Sequence, residues 1–112
     1  MSQPTDSVRY QYVTLRRRRH PVTIAYTSSE SDGQITIRLG ASFCLADERF
    51  NRSRGREIAT GRMSRTPFQF SIPFDRNQTG AYGRAVAEGL REYVTSNAYQ
   101  ISTTYSRNRS NG

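Results

Sequence analysis

The chain lacks lysine altogether, has a single cysteine and a single histidine, and contains no long hydrophobic segment. One cysteine, Cys44, excludes an internal disulfide framework, and together with the lone His20 it falls short of the ligand set of a structural metal site. No apolar run approaches the roughly 18 residues that span a bilayer. The first residues also lack the charged, apolar and small-residue order of a signal peptide, so we predict a cytoplasmic protein with no membrane partner.

Few side chains are suited to catalysis. His20 follows four consecutive arginines and has no acidic residue near it in sequence, so it lacks the usual partner of a general base. The adjacent acids Asp47 and Glu48 match no metal-binding spacing, and acids placed before a helix commonly serve as caps. We therefore predict a binding protein with no catalytic residues, no metal and no cofactor.

The charge of the chain indicates an anionic partner. All 17 basic residues are arginine, against 9 acidic residues, which gives a formal net charge of +8 and a pI near 10.5. Planar guanidinium groups suit bidentate binding of phosphate and stacking on purine rings. A genome rich in G and C would also favour arginine codons, and arginines far from any candidate site, such as Arg107 and Arg109, agree with that explanation. Both explanations are open at this point.

Hydrophobic periodicity predicts an α+β fold. The composition is polar, with a mean hydropathy of -0.79, but the apolar residues recur in regular periods. Alternation predicts strands at 8–15, 22–27, 34–44 and 68–74. The Asp32-Gly33 pair predicts a tight antiparallel hairpin between the second and third strands.

Helical spacing predicts two helices, a short one within 48–65 and a long core helix from about Gly80 to Ser96. Alternation in 98–105 suggests a last edge strand. We predict one domain over 8–105, a mostly antiparallel sheet of four to five strands with the helices on one face, in the order β-β-β-α-β-α. Residues 1–7 and 106–112 are predicted to be flexible ends.

The short helix is unusual in its arginine content. The stretch ERFNRSRGREIATGRMSR, 48–65, holds six arginines, and those near the helix start oppose the positive end of the macrodipole unless an anion is bound there. Asp47 or Ser53 is the predicted cap. Gly55 and Gly61 are costly inside a helix, which indicates close approach by a ligand or another backbone, or simply a short and weak helix.

Two binding hypotheses follow from this stretch. In the first, a small phosphorylated nucleotide binds at the helix start, with phosphate at the arginines, a base against a phenylalanine, and Asn51 on a base edge or ribose. Its predicted ligand-binding residues are Phe43, Phe50, Asn51, Arg54, Arg56, Arg62 and Arg65. In the second, the partner is nucleic acid: the basic patch Arg16, Arg17, Arg18 and Arg19 reaches phosphates, and Tyr10 or Tyr12 stacks on bases. A second basic cluster extends this track and consists of Arg52, Arg54, Arg56, Arg62 and Arg65.

The nucleic-acid hypothesis requires the two basic clusters to adjoin, and the chain has none of the common nucleic-acid-binding motifs. A third class, a protein that blocks a host enzyme by contact alone, is also compatible with the sequence.

The stretch SFCLADERFNRSRGREIATGRMSR, preceded by three strands and followed by a strand and a helix, looks like small phage proteins. In layout, over residues 35–95, it is similar to the first described family of phage anti-Thoeris proteins. That resemblance implies an oligomeric sponge that sequesters cyclic ADP-ribose isomers, in some members also cyclic oligonucleotides, inside the host cytoplasm. Because a 112-residue monomer has little concavity, we expect a homo-oligomer with its pocket between subunits.

Overall fold

The computed structural model describes residues 7–78 and 80–111, with side chains as far as residue 106. Its four strands are β1 (Arg9–Val13), β2 (Val22–Ser31), β3 (Gln34–Ser42) and β4 (Phe68–Pro73), and its three helices are α1 (Arg52–Arg65), α2 (Tyr82–Ser96) and α3 (Ala98–Asn111). The strands form one antiparallel sheet in the order β1-β2-β3-β4. The α+β class and the antiparallel sheet are thus as predicted.

The hairpin between β2 and β3 forms at the predicted turn. Asp32 and Gly33 both have positive φ, 54° and 75°, and Ser31 pairs directly with Gln34. Two central residues with positive φ match the right-handed twist of the flanking strands, which is why an Asp-Gly pair favours this turn.

Residues 98–105, predicted as an edge strand, instead belong to the third helix. Their alternation competes with a second pattern, since Ile101 and Tyr105 are four residues apart and both are buried, whereas Tyr99 is 85% exposed. The two buried residues continue the apolar stripe that α2 ends with Val94. Helical spacing therefore prevails. The predicted tail at 106–112 is helical backbone as far as Asn111, and residues 1–6 of the predicted flexible N-terminus lie outside the described residues.

The main core lies between one face of the sheet and helices α2 and α3. Ile35, Ile37 and Leu39 of β3 are fully buried, and each is paired with an apolar residue of β4. Aromatic contacts tie this layer to the helices: the rings of Phe70 and Tyr93 stack with centroids 4.2 Å apart. The apolar residues that alternate along β4 and the apolar stripe of α2, both predicted from the sequence, pack against each other in this core.

Helix α1 packs on the opposite face of the sheet, which corrects the prediction that the helices share one face. Its buried residues are Gly55, Ala59 and Met63, spaced four apart, and they form a narrow stripe of mostly small side chains. Gly40 of β3 lies directly beneath, and a Cβ there would overlap the backbone of Ala59 and Met63. Because Gly40 and Gly55 have no side chain, this weakly apolar helix packs closely against the strands.

Among the residues that the structure describes, no helix combines the length and the apolar composition needed to cross a membrane.

Candidate functional site

The start of α1 is defined by a side-chain cap. Asn51 precedes the first helical residue with extended backbone, and its Oδ1 accepts a hydrogen bond of 3.0 Å from the backbone N–H of Arg54. Asn51, and neither Asp47 nor Ser53, is therefore the cap, because only the residue immediately before the helix can present its side chain to the third helical amide.

A cleft of about 600 Å³ runs along one side of this helix, from Asn51 at its start to Thr66 at its end. Its walls are formed by α1, by the connection that follows β3, and by the neighbouring ends of β2 and β3. Six of the seven predicted ligand-binding residues line it together: Phe43, Phe50, Asn51, Arg54, Arg62 and Arg65. The structure thus gathers residues 22 positions apart in sequence into one concave surface.

The seventh predicted residue, Arg56, lies elsewhere. Its Nε donates a hydrogen bond of 2.9 Å to the hydroxyl of Tyr12, and its guanidinium lies 5.5 Å from the ring centre of Tyr10. Residues two apart on a helix differ by about 200° around its axis, so Arg54 and Arg56 face opposite sides. Arg56 is therefore removed from the cleft residues.

Four arginines make the cleft positive: Arg49, Arg54, Arg62 and Arg65. In the part of the chain whose side chains are described, no ion pair is formed by Arg49, Arg54 or Arg65. Arg62 differs, because its Nη1 donates to the carbonyl of Ala41 at 2.9 Å and its guanidinium lies 4.9 Å from the ring centre of Tyr105. Arg62 thus also holds α1 to the sheet, whereas the other three are exposed and surround the cleft.

The two phenylalanines of the cleft each carry a partner from the basic loop. The guanidinium of Arg18 lies 4.8 Å from the ring centre of Phe43, and His20 stacks on Phe50 at 5.9 Å with an interplanar angle of 14°. The loop that carries Arg16–Arg19 therefore adjoins the cleft, and the two basic clusters form one surface.

Sequence reasoning missed several residues that line the cleft, among them Thr23, Ser42, Glu48 and Arg49. Thr23 and Ser42 are directly paired across β2 and β3 and lie on the face that α1 covers. A threonine or serine in a strand cannot be assigned to the cleft from the sequence, because its position there depends on the strand register. Arg49 could have been predicted, since it precedes Phe50 directly in the arginine-rich stretch.

Two further groups define the chemistry at the edge of the cleft. Partial burial raises the pKa of the Cys44 thiol, and the carboxylates of Glu48 and Asp47 add to this, so the thiol stays protonated near neutral pH.

Burial raises the pKa of Tyr105 to about 12, partly offset by the guanidinium of Arg62. Its hydroxyl donates to the carbonyl of Thr66 at 2.8 Å and ties α3 to the end of α1.

The cleft thus combines four arginines with two phenylalanine rings. Within the described side chains, no three of the types His, Cys, Asp and Glu are grouped so as to hold a metal ion. Comparison of the chain with protein-family models, with curated protein sequences and with solved structures gives no significant match.

Proposed function

We propose that the cleft binds and sequesters a small phosphorylated nucleotide. The observation that carries this proposal is that four arginines and two phenylalanine rings line a single cleft of about 600 Å³ that runs along a helix from its N-terminus. Small-molecule sites typically enclose about 300 to 1,000 Å³ and combine apolar walls with a few polar groups. A nucleotide has both of the parts that this surface offers to bind.

The two ends of the ligand are assigned from the positions of the side chains. Its phosphate lies near Arg49 and Arg54, where the dipole of the first turn of α1 adds to the guanidinium charge. Its base lies against Phe43 or Phe50. Thr23 and Ser42, 1% and 8% exposed, lie almost fully buried at the bottom of the cleft.

The ligand class and the biological role rest on the resemblance to the anti-Thoeris family. Cyclic ADP-ribose isomers and cyclic oligonucleotides are the candidate ligands, and capture without turnover would protect a phage from a host defence signal. A homo-oligomer belongs to this proposal. The cleft is formed within one chain, however, so a pocket between subunits is not needed to create concavity.

The proposal is tested by titration calorimetry and native mass spectrometry with cyclic ADP-ribose, ADP and cyclic dinucleotides. Replacing Arg49 and Arg54 by glutamine should weaken binding at least about tenfold, because hydrogen bonds to charged groups contribute about 1.5 to 3 kcal/mol each. The matched control replaces Arg84 and Arg91, two exposed arginines of α2, and should leave affinity within about twofold. Equal affinity of the Arg49 and Arg54 double variant, in a protein that melts like wild type, would overturn the proposal.

Nucleic-acid binding is the second candidate, and it is favoured by the contact of Arg18 with Phe43 that joins the basic loop to the cleft. Binding of this kind weakens steeply with salt as counterions are released. A mobility shift of short DNA or RNA that disappears between about 50 and 200 mM salt, without retention of any small nucleotide, would favour this candidate.

A further inference from the structure

A second feature of the basic surface runs alongside α1, outside the cleft. Arg52 lies 4.7 Å from the ring centre of Tyr12, and Arg56 lies 5.5 Å from that of Tyr10. Tyr10 and Tyr12 belong to β1, and the two arginines belong to α1. We call these four residues the Arg–Tyr row.

The Arg–Tyr row adjoins the cleft at Phe50. Phe50 lines the cleft, and its ring meets that of Tyr12 edge to face at 6.3 Å. At the other end, the hydroxyl of Tyr10 bonds to Thr60 Oγ1 at 2.9 Å. The row therefore runs from Phe50 towards Thr60 along the side of α1 that faces β1, whereas the cleft lies along another side of the same helix.

The row is held in place before any ligand arrives. The hydrogen bond from Arg56 Nε to the Tyr12 hydroxyl, 2.9 Å, joins the two stacked pairs to each other. Both guanidinium groups are exposed. A guanidinium held over a ring keeps N–H groups that phosphate can bind, and its restricted rotation lowers the entropy lost on binding.

The spacing of the row suits a chain of phosphates better than a single anion. Arg52 and Arg56 are four residues apart and so lie about 6 Å apart along the helix axis, on one side of α1. This separation is comparable to that of successive phosphates in an extended single strand. Tyrosine and arginine side chains are also the groups on which single-stranded bases stack.

Resting on the proposed function of the cleft, we propose that the cleft and the Arg–Tyr row together also bind a short linear single-stranded oligonucleotide. One nucleotide occupies the cleft, and the next two phosphates lie against Arg52 and Arg56. A compact cyclic nucleotide would occupy the cleft alone and would not reach the row.

The test compares binding of 5′-phosphorylated adenylates of one, two and three nucleotides to the full chain by calorimetry. We expect the trinucleotide to bind about tenfold or more tightly than the mononucleotide, since each added phosphate gains a charged contact. Replacing Arg52 and Arg56 by glutamine should remove this gain while changing mononucleotide affinity by less than about twofold. The control variant, with Arg84 and Arg91 replaced, should keep the full gain.

A salt titration provides a second measurement that does not depend on the stability of the variant. Two phosphate contacts contribute about 1.4 to the slope of log affinity against log salt for a single strand, and the wild-type protein should show this excess for the trinucleotide over the mononucleotide. Equal affinities and slopes for the two probes would overturn this inference and leave the proposed function standing. Failure of every adenylate and every cyclic nucleotide to bind would overturn both.

Discussion

Replacing Gly40 by alanine tests the close packing that places α1, and with it the cleft, on the sheet. A Cβ at this position would overlap the backbone of Ala59 and Met63, and backbone atoms cannot move aside as a flexible side chain can. The helix must therefore shift outward as a unit. Arg54 and Asn51 would move with it, so both the stability of the fold and the shape of the cleft depend on this one missing side chain.

The expected cost follows from what the helix buries. Met63 is 7% exposed and Ala59 is fully buried, and they supply most of the apolar contact of α1. Overpacking of a well-packed site costs about 1 to 3 kcal/mol, and loss of full burial of a methionine costs up to a similar amount. The lower chain entropy of alanine in the unfolded state offsets up to about 1 kcal/mol. We expect a net destabilisation of about 2 to 3 kcal/mol, or a melting temperature lower by roughly 10 °C.

The assay is thermal and urea unfolding followed by circular dichroism, with Gly83→Ala as the matched control. Gly83 lies in α2, and a Cβ there would meet no atom within 4 Å in the described structure. That substitution should be neutral or stabilising by up to about 1 kcal/mol, because alanine favours the helix. A Gly40→Ala protein that melts within about 2 °C of wild type would refute the packing of α1 described above.

Two further predictions concern the ends of α1. Asn51→Ala should lower stability by about 1 kcal/mol through loss of the cap, and Asn51→Ser should restore most of it; equal stability of all three proteins in urea unfolding would contradict the cap. Tyr105 has a pKa raised from 10.0 to about 12 in the folded state, so the folded protein binds this proton more tightly than the unfolded chain does. The resulting stability is complete below about pH 10 and is lost as the pH rises towards 12, so the melting temperature of wild type should fall more over that window than that of Tyr105→Phe.

Much of the candidate site could be predicted because it is local in sequence. Phe50, Asn51 and Arg54 lie within five positions, and a helix start brings such neighbours to one place whatever the rest of the fold does. Arg56 is the instructive failure. It shares the same stretch, but the rotation of the helix and the position of Tyr12 on β1 decide which way its side chain points.

The glycines also differ in how much the sequence revealed about them. The two of the arginine-rich stretch indicated close approach by a ligand or by another backbone, and for Gly55 the neighbour is part of the protein, since a Cβ there would come 2.8 Å from Thr23 Oγ1. Gly40, which carries the tightest helix-strand contact, gave no sequence signal. It occupies a polar position of an alternating strand, and such a position predicts solvent exposure unless a helix is known to cover it.

The sequence by itself determined the elements whose patterns are short in range: the alternating strands, the Asp-Gly turn, the stripe of α2 and the concentration of arginines around residue 54. Only the tertiary structure decided that α1 covers the second face of the sheet, that 98–105 is helical, and that the basic loop adjoins the cleft through Arg18. The physical reason is the range of the interactions. Turn and helix preferences act over a few residues, whereas packing depends on which distant backbones can approach, and that depends on the whole chain.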